Sequence, residues 1–362
     1  MPIPLLLHGR HAGPEVLYQP LGAWIVPWVI RSVDAEYAAL RGSTGLIDYS
    51  TQAMLEVRGA DRAVFLHNLL TNDIKGLAPG GGCRAALLDP SGKLLAECLV
   101  LADPDALWLM CDLPLAATVA RVLEEHRFSE DVSLTNHERR YAAVALEGPR
   151  SAAALAQLAG RVVALPSPGD HAMTSLKDIP VRAVRHSLAG GIGYLCLVDA
   201  DAASAAWNLL TGEAARYGVV ASGWHALSIA RIECGIPWFG IDMDSTMLLP
   251  ETGLETLAVS DTKGCYLGQE IIARLAARGS VSRRLMRLEL ADSPVPSPGD
   301  EILHEGAAAG RITSAVASPQ RNRPVAIGVV KRPVYEPGTS VEVVSGGSRH
   351  PATIVGQTYS CQ

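Results

Sequence analysis

An excess of positive charge is missing from this chain: 31 Lys and Arg stand against 37 Asp and Glu, for a formal net charge of -6. Holding nucleic acid requires a concentrated positive field, so the composition points to a small-molecule or protein partner instead. Cysteines at zinc-ribbon spacing are missing too. The seven thiols, Cys83, Cys98, Cys111, Cys196, Cys234, Cys265 and Cys361, are odd in number and scattered, which is the usage of a reducing compartment and offers no metal site. No apolar stretch approaches bilayer length. The short apolar run in "MPIPLLLHGRHAG" has no positive charges ahead of it and makes a poor signal peptide. A cytoplasmic protein with no membrane contact is expected, and no fixed-period repeat or low-complexity tract is evident.

What is present is ample apolar material. With 362 residues, 48% of them hydrophobic, the chain can build a well-packed core and is long for one domain, so two or three modules are expected. After a lead-in marked by Pro and Gly, "VDAEYAALRGSTG" has helical spacing, "AMLEVRG" alternates like a strand, and "ADRAVFLHNLLTNDI" returns to helical spacing before a turn at Thr71-Asn72-Asp73. "CRAALLDPSGKLLAECLVLAD" reads as two strands around a turn, "ALWLMCD" as a third, and "LPLAATVARVLEEHRF" as a helix. A second cycle follows: strand "YAAVALEG", helix "PRSAAALAQLAG", strands "IPVRAVRHS" and "GYLCLVD", helix "AASAAWNLLTGEAARYG". Beyond Ser282, "LMRLEL", "AAAGRITSAVAS", "VAIGVV" and "SVEVVS" are strand-like pieces between Gly- and Pro-rich turns, which predicts a small all-β module. The whole is α+β rather than doubly wound.

One stretch carries chemistry. In "SDTKGCYLGQEIIARLAARG", Cys265 precedes a predicted helix that Gly279 would end. Unpaired amides and the macrodipole at such an N-terminus stabilise an anion, and Lys263 adds positive charge, so the pattern predicts a reactive thiol. The ordinary alternative is a small buried apolar residue. Gly264 and Gly268 allow tight turns on either side. Gln269 and Glu270 offer an amide and a carboxylate in the first helical turn, where a Glu is favoured by the dipole whatever the function. Tyr266 can stack on a ligand ring or pack.

The segment "KGCYLGQE", Lys263 to Glu270, resembles the signature of the YgfZ family of folate-binding proteins, and "GLIDYSTQAMLEVRGADRAVFLHNLLTNDIKGLAPGGGCRAALLDPSGKLLAE" and "ALSIARIECGIPWFGIDMDSTMLLPETGLE" resemble shared blocks of the larger glycine-cleavage T-protein (aminomethyltransferase) superfamily. The resemblance implies a three-domain cloverleaf holding tetrahydrofolate, with a C-terminal β-barrel. Its domains would be 1–140 plus 235–280, 141–234, and 281–362. It implies a tetrahydrofolate-binding accessory protein that supports assembly or repair of iron-sulfur proteins, partnered by assembly factors or clients, with Cys265 chemically active. The alternative is an aminomethyltransferase that passes a one-carbon unit to tetrahydrofolate, and whether the chain is an enzyme stays open between them.

By the same resemblance Asp73 takes the place of the T-protein's catalytic aspartate beside the reacting part of the folate. Arg231 matches an arginine near the folate, with an ion pair to Glu233 as the ordinary alternative. Trp224 aligns with a folate-binding tryptophan and is otherwise a core anchor. One departure stands out: where T-proteins carry acidic side chains that grip the pterin, this chain has "AGGIGYLC", Ala189 to Cys196. An unsatisfied donor costs roughly 1 to 3 kcal/mol, so another carboxylate must serve or the ligand binds differently. Arg274, Arg278, Arg283, Arg284 and Arg287 form a basic run, suited either to an acidic partner or to a solvated helix end.

Overall fold

The computed structural model describes residues 2–11, 13, 15–212, 214–291 and 293–359. Cys361 and the side chain of Arg278 lie outside the described residues. The chain divides into two compact units, Met1–Leu88 with Leu95–Leu227 and Ala258–Leu267, and Asp89–Leu94 with Ser228–Leu257 and Gly268–Gln362.

The first unit is built on two larger sheets. One has the order His171–Leu176, Ile179–Arg185, Gly193–Asp199, Tyr141–Glu147, Thr44–Asp48, Val219–Ala221. Its pairings are antiparallel except for the last. Thr44–Asp48 is buried along its whole length, as expected of a strand covered on both faces. The helices Ser151–Ala159 and Ala203–Gly212 supply much of that cover: Leu155, Leu158, Ala206, Trp207 and Leu210 join Val144, Leu146, Cys196 and Val198 in one core. Small alanines let these helices approach closely, and Gly160, at φ 65°, ends the first of them with a left-handed residue. The second sheet runs Gly82–Leu88, Leu94–Ala102, Ala106–Asp112, Gln52–Arg58, Ser133–Asn136. A three-stranded sheet of Ile3–Pro4, Trp24–Val29 and Leu17–Leu21 forms from the lead-in marked by Pro and Gly, to which the sequence reading assigned no element.

The second unit contains a closed six-stranded barrel, in the order Arg283–Leu290, Arg323–Lys331, Ala307–Ser318, Glu301–His304, Ser340–Ser345, Ser348–Gln357. Closure leaves no edge strand exposed to further pairing. Its interior is filled by Met286, Leu288, Ile302, Ile312, Val330, Val343 and Ile354 among others. The all-β module expected beyond Ser282 is therefore present, with two strands more than the pattern suggested. Among the described residues no helix is long and apolar enough to cross a membrane.

Candidate functional site

Asp73 is placed by the way its helix ends. After Arg62–Leu69 the chain lies along Gly82–Leu88: Leu70 bridges to Leu87, Thr71 donates its N–H to the Ala86 carbonyl at 3.1 Å, and Asn72 Nδ2 donates to the Arg84 carbonyl at 2.8 Å. The Thr71 hydroxyl accepts from Ala86 N at 2.8 Å and donates to the Ala258 carbonyl at 2.6 Å. Asp73 follows with its side chain 47% exposed, 3.2 Å from His67 Nδ1, and accepts from Gly76 N at 3.1 Å. One edge of the carboxylate is fixed while the rest faces outward.

The Lys263 ammonium donates to the carbonyls of His67 and Leu70. These are among the carbonyls a helix C-terminus leaves unpaired, and a cation there is favoured by the dipole. Burial lowers Lys263 to about 8. Its Nζ lies 5.1 Å from the centroid of the buried Tyr266 ring. Ser260 N and Leu267 N donate to Thr71 O and Asn68 O at 3.1 and 3.2 Å, so both ends of the motif loop are pinned to one turn. Cys265 stands between those pins and is the one exposed cysteine among the described residues. Asp73, Cys83 and Cys265 are all within electrostatic reach of Lys263. Burial, and then Asp73, push the Cys83 thiol up to about 12, which keeps it protonated. The structure thus brings together four predicted residues, Asp73, Lys263, Cys265 and Tyr266. It adds His67, a base whose proton affinity is lowered by burial and by Lys263.

The rest of the motif serves the backbone. Gln269–Arg278 is helical, as expected, and Gly279 follows it at φ 70°. Gly268 has φ 79°, whereas Gly264 is outside the left-handed region and an added Cβ there would meet nothing within 4 Å. Only one of the two glycines is therefore required by conformation. Gly268→Ala is expected to lower the unfolding free energy by about 1 to 2 kcal/mol, and Gly264→Ala to leave it unchanged or slightly raised; denaturant titration of both variants checks this. Glu270, 83% exposed, pairs with Arg274 at 2.8 Å. Among the described residues the other members of the basic run are likewise engaged internally: Arg283 by Glu251 at 3.1 Å, Arg284 by Glu255 at 3.6 Å, and Arg287 by the Gln357 carbonyl at 3.1 Å.

Trp224 and Arg231 occupy one helix, Trp224–Glu233, but belong to different units. Trp224 is buried; its indole donates to the Asp48 carbonyl at 3.0 Å and stacks on Tyr49 with centroids 5.7 Å apart. Arg231 is 2% exposed. It donates to Asp242 Oδ2 at 2.7 Å, Ile236 O at 2.9 Å and Ser314 Oγ at 2.9 Å, and lies 4.0 Å from the Trp238 ring centroid. Its ion-pair partner is Asp242. Glu233 instead accepts from the Ser318 hydroxyl.

A polar cluster on the second sheet of the first unit was not anticipated. Arg84 pairs with Glu97 at 3.0 Å. Leu99 pairs with Met110, and the same register continued two positions further sets Glu97 across from Asp112 on one face. Burial raises Asp112 to about 7 even though Trp24 donates to it; Gln52 Nε2 donates to it at 3.3 Å. Tyr49 lies within electrostatic reach of Asp112, Glu97 and Arg84, and burial raises its phenol. His186 is lowered to about 3 by burial and then by Arg84. Arg84, Glu97, Asp112, Tyr49 and His186 remain partly open to solvent. The clue in the sequence was charge within apolar strands, Arg84 in "CRAALL" and Glu97 in "LLAECLV". At "AGGIGYLC", the nearby carboxylate is Glu147. It accepts from Leu188 N at 2.9 Å and Ser187 Oγ at 2.8 Å and sits so close to Gly193 that a Cβ there would lie 2.5 Å from Oε1.

Comparison with known proteins follows this architecture. The GCVT N-terminal domain matches residues 7–262, and the glycine cleavage T-protein C-terminal barrel domain matches 283–359. A protein of Mycobacterium avium named aminomethyltransferase is 30% identical over 336 residues, covering 90% of this chain and 89% of its own. One of the same name from Prochlorococcus marinus is 26% identical and covers 97% and 95%. The solved glycine cleavage system aminomethyltransferase T of Bartonella henselae superposes with a TM-score of 0.89 at 21% identity, covering 100% of this chain and 99% of its own, which establishes the shared fold.

Proposed function

Since the chain belongs to the glycine-cleavage T-protein family, we propose that it binds tetrahydrofolate and, in the manner of YgfZ-type members, supports assembly or repair of iron-sulfur proteins with Cys265 as its working thiol. The observation that carries this reading is the exposed Cys265, held on a loop pinned at both ends beside Lys263 and Asp73. An accessible thiol on a fixed loop can attack an electrophilic sulfur or carbon while the neighbouring ammonium and carboxylate hold charge and protons. On the same premise we divide the chain into 1–140 plus 235–280, 141–234, and 281–362.

The donor set of the first unit fits a pterin. Its amino and ring N–H groups need acceptors, which Asp112 and Glu97 offer; Arg84 is a donor for the carbonyl edge, and Tyr49 presents a ring. These carboxylates take the place of the acidic side chains missing from "AGGIGYLC". Tetrahydrofolate supplies a nucleophilic nitrogen that accepts or carries a one-carbon unit. Asp73, half-exposed with one edge tied down, is suited to orient an amine and hold its proton.

The relatives' shared name favours a second reading, aminomethyl transfer with Asp73 as the central group. Calorimetric titration with tetrahydrofolate tests what the two share: saturable binding is expected, weakened in Asp73→Asn, and a wild type that does not bind sinks both. Given binding, loss of complementation under oxidative stress by Cys265→Ala supports the first reading. Turnover with a lipoyl carrier protein that disappears in Asp73→Asn selects the second.

A further inference from the structure

Two thiols that neither reading uses face each other across neighbouring strands. Leu99 pairs with Met110, and that register continued by one position sets Cys98 across from Cys111, the neighbour that most strongly perturbs its thiol. Both are free and buried, at 0% and 1% exposure. Residues directly opposite in an antiparallel pair have Cα atoms about 4.5 to 5.5 Å apart. A disulfide spans about 4.4 to 6.8 Å, a range that includes the spacing of opposite residues on paired strands. Their sequence neighbours Glu97 and Asp112 point to the other face of the sheet, which places the thiols directly behind the polar cluster.

We propose that Cys98 and Cys111 are a modification site: a reversible cross-strand dithiol, oxidised by a small-molecule disulfide, that joins Leu94–Ala102 to Ala106–Asp112. One thiol, after losing its proton, attacks a sulfur of the reagent. A mixed disulfide forms, the reagent's S–S bond breaks, and one reagent thiol leaves carrying the proton. The second protein thiol then attacks the mixed disulfide at its own partner's sulfur and expels the second reagent thiol. The protein gives up two hydrogens with two electrons, and the reagent gains them as two thiols. The neighbouring Cys111 thiol and then burial hold Cys98 well above the ordinary range, so exchange runs through transient opening of the strand pair and is slow from the closed state. The inference does not depend on the proposed function.

The test uses the full chain, unfolded and then refolded in glutathione buffers of increasing oxidised fraction so that access does not limit exchange. Remaining thiols are trapped with an alkylating agent and the products mapped by mass spectrometry. The expected result is coordinate loss of two thiols in one peptide pair linked through Cys98 and Cys111. Excess reduced glutathione should reverse it, and the oxidised form should melt several degrees higher. Cys265→Ser, which removes the exposed thiol, should give the same linkage. The proposal is overturned if Cys98 and Cys111 remain alkylatable at oxidised fractions that already convert Cys265 to a mixed disulfide, or if either is found bridged to another cysteine. The wild-type peptide map decides without any substitution in the core.

Discussion

Arg231→Met is expected to destabilise the protein by about 3 to 5 kcal/mol, because it strands a buried carboxylate. Asp242 has a fully buried side chain and is saturated in the native structure: Oδ2 receives Arg231 and Trp238 N at 2.7 and 3.0 Å, and Oδ1 receives the hydroxyls of Thr313 and Ser314 at 2.7 and 2.6 Å. Removing the guanidinium leaves a charge with dipoles but no counter-ion. The pairing links Trp224–Glu233 to the barrel strand Ala307–Ser318 within the second unit, so denaturant unfolding monitored by tryptophan fluorescence should show the loss there. A companion substitution, Asp242→Leu, made together with Arg231→Met, should recover most of the deficit, since a buried pair replaced whole by apolar side chains is often neutral. If Arg231→Met instead folds with wild-type stability and loses tetrahydrofolate affinity, the guanidinium is a ligand group and its structural assignment fails.

Asp112→Asn should change the dependence of stability on pH. Burial raises the carboxyl from 3.8 to about 7, so between those values the folded protein keeps a proton that the unfolded chain has shed. Unfolding free energy contributed by this group is full below about 4 and falls as pH rises through 7. The interval corresponds to on the order of 4 kcal/mol. Glu147 and Glu255 are also raised to about 7 by burial. The wild type should therefore be more stable at pH 5 than at pH 8, and the difference between wild type and Asp112→Asn isolates the Asp112 share. Thermal unfolding at the two pH values is the measurement: the variant should be the more stable protein at pH 8, and an unchanged slope would remove the case for a proton-holding carboxyl. Tetrahydrofolate affinity adds a second reading. An amide presents one acceptor where an ionised carboxylate presents two, so the variant should bind more weakly at pH 8 if Asp112 receives the pterin's donors.

Elements with a clean period were legible. Val33–Gly42, Gln52–Arg58, Tyr141–Glu147 and the long barrel strands follow their apolar spacing. Thr44–Asp48 was hidden because its Thr-Gly opening resembles a helix stop and its buried run is short. Trp24–Val29 and Ser348–Gln357 each carry a proline, Pro27 and Pro351, that reads as a break. For the site, the motif announced Lys263 and Cys265, and spacing alone located neither their neighbour His67 nor the way Lys263 closes a helix end. Asp112, Glu97 and Arg84 converge only through strand register, a relation between segments that no single stretch displays. Arg231 was visible as an arginine, but its confinement by Asp242 and Ser314 depends on residues 11 and 83 positions away.

The chain crosses between its two units at Leu88, Leu94, Leu227, Leu257 and Leu267, which fixes an order in time as well as in space. During synthesis the first unit has all its described strands once Leu227 has emerged from the ribosome. It still lacks Ala258–Leu267, the piece that contributes Lys263 to the end of Arg62–Leu69 and receives Thr71 at the Ala258 carbonyl. The loop that carries Cys265 is thus the last piece of its unit to be made, and Lys263 reaches the end of Arg62–Leu69 only when the rest of that unit is there to receive it.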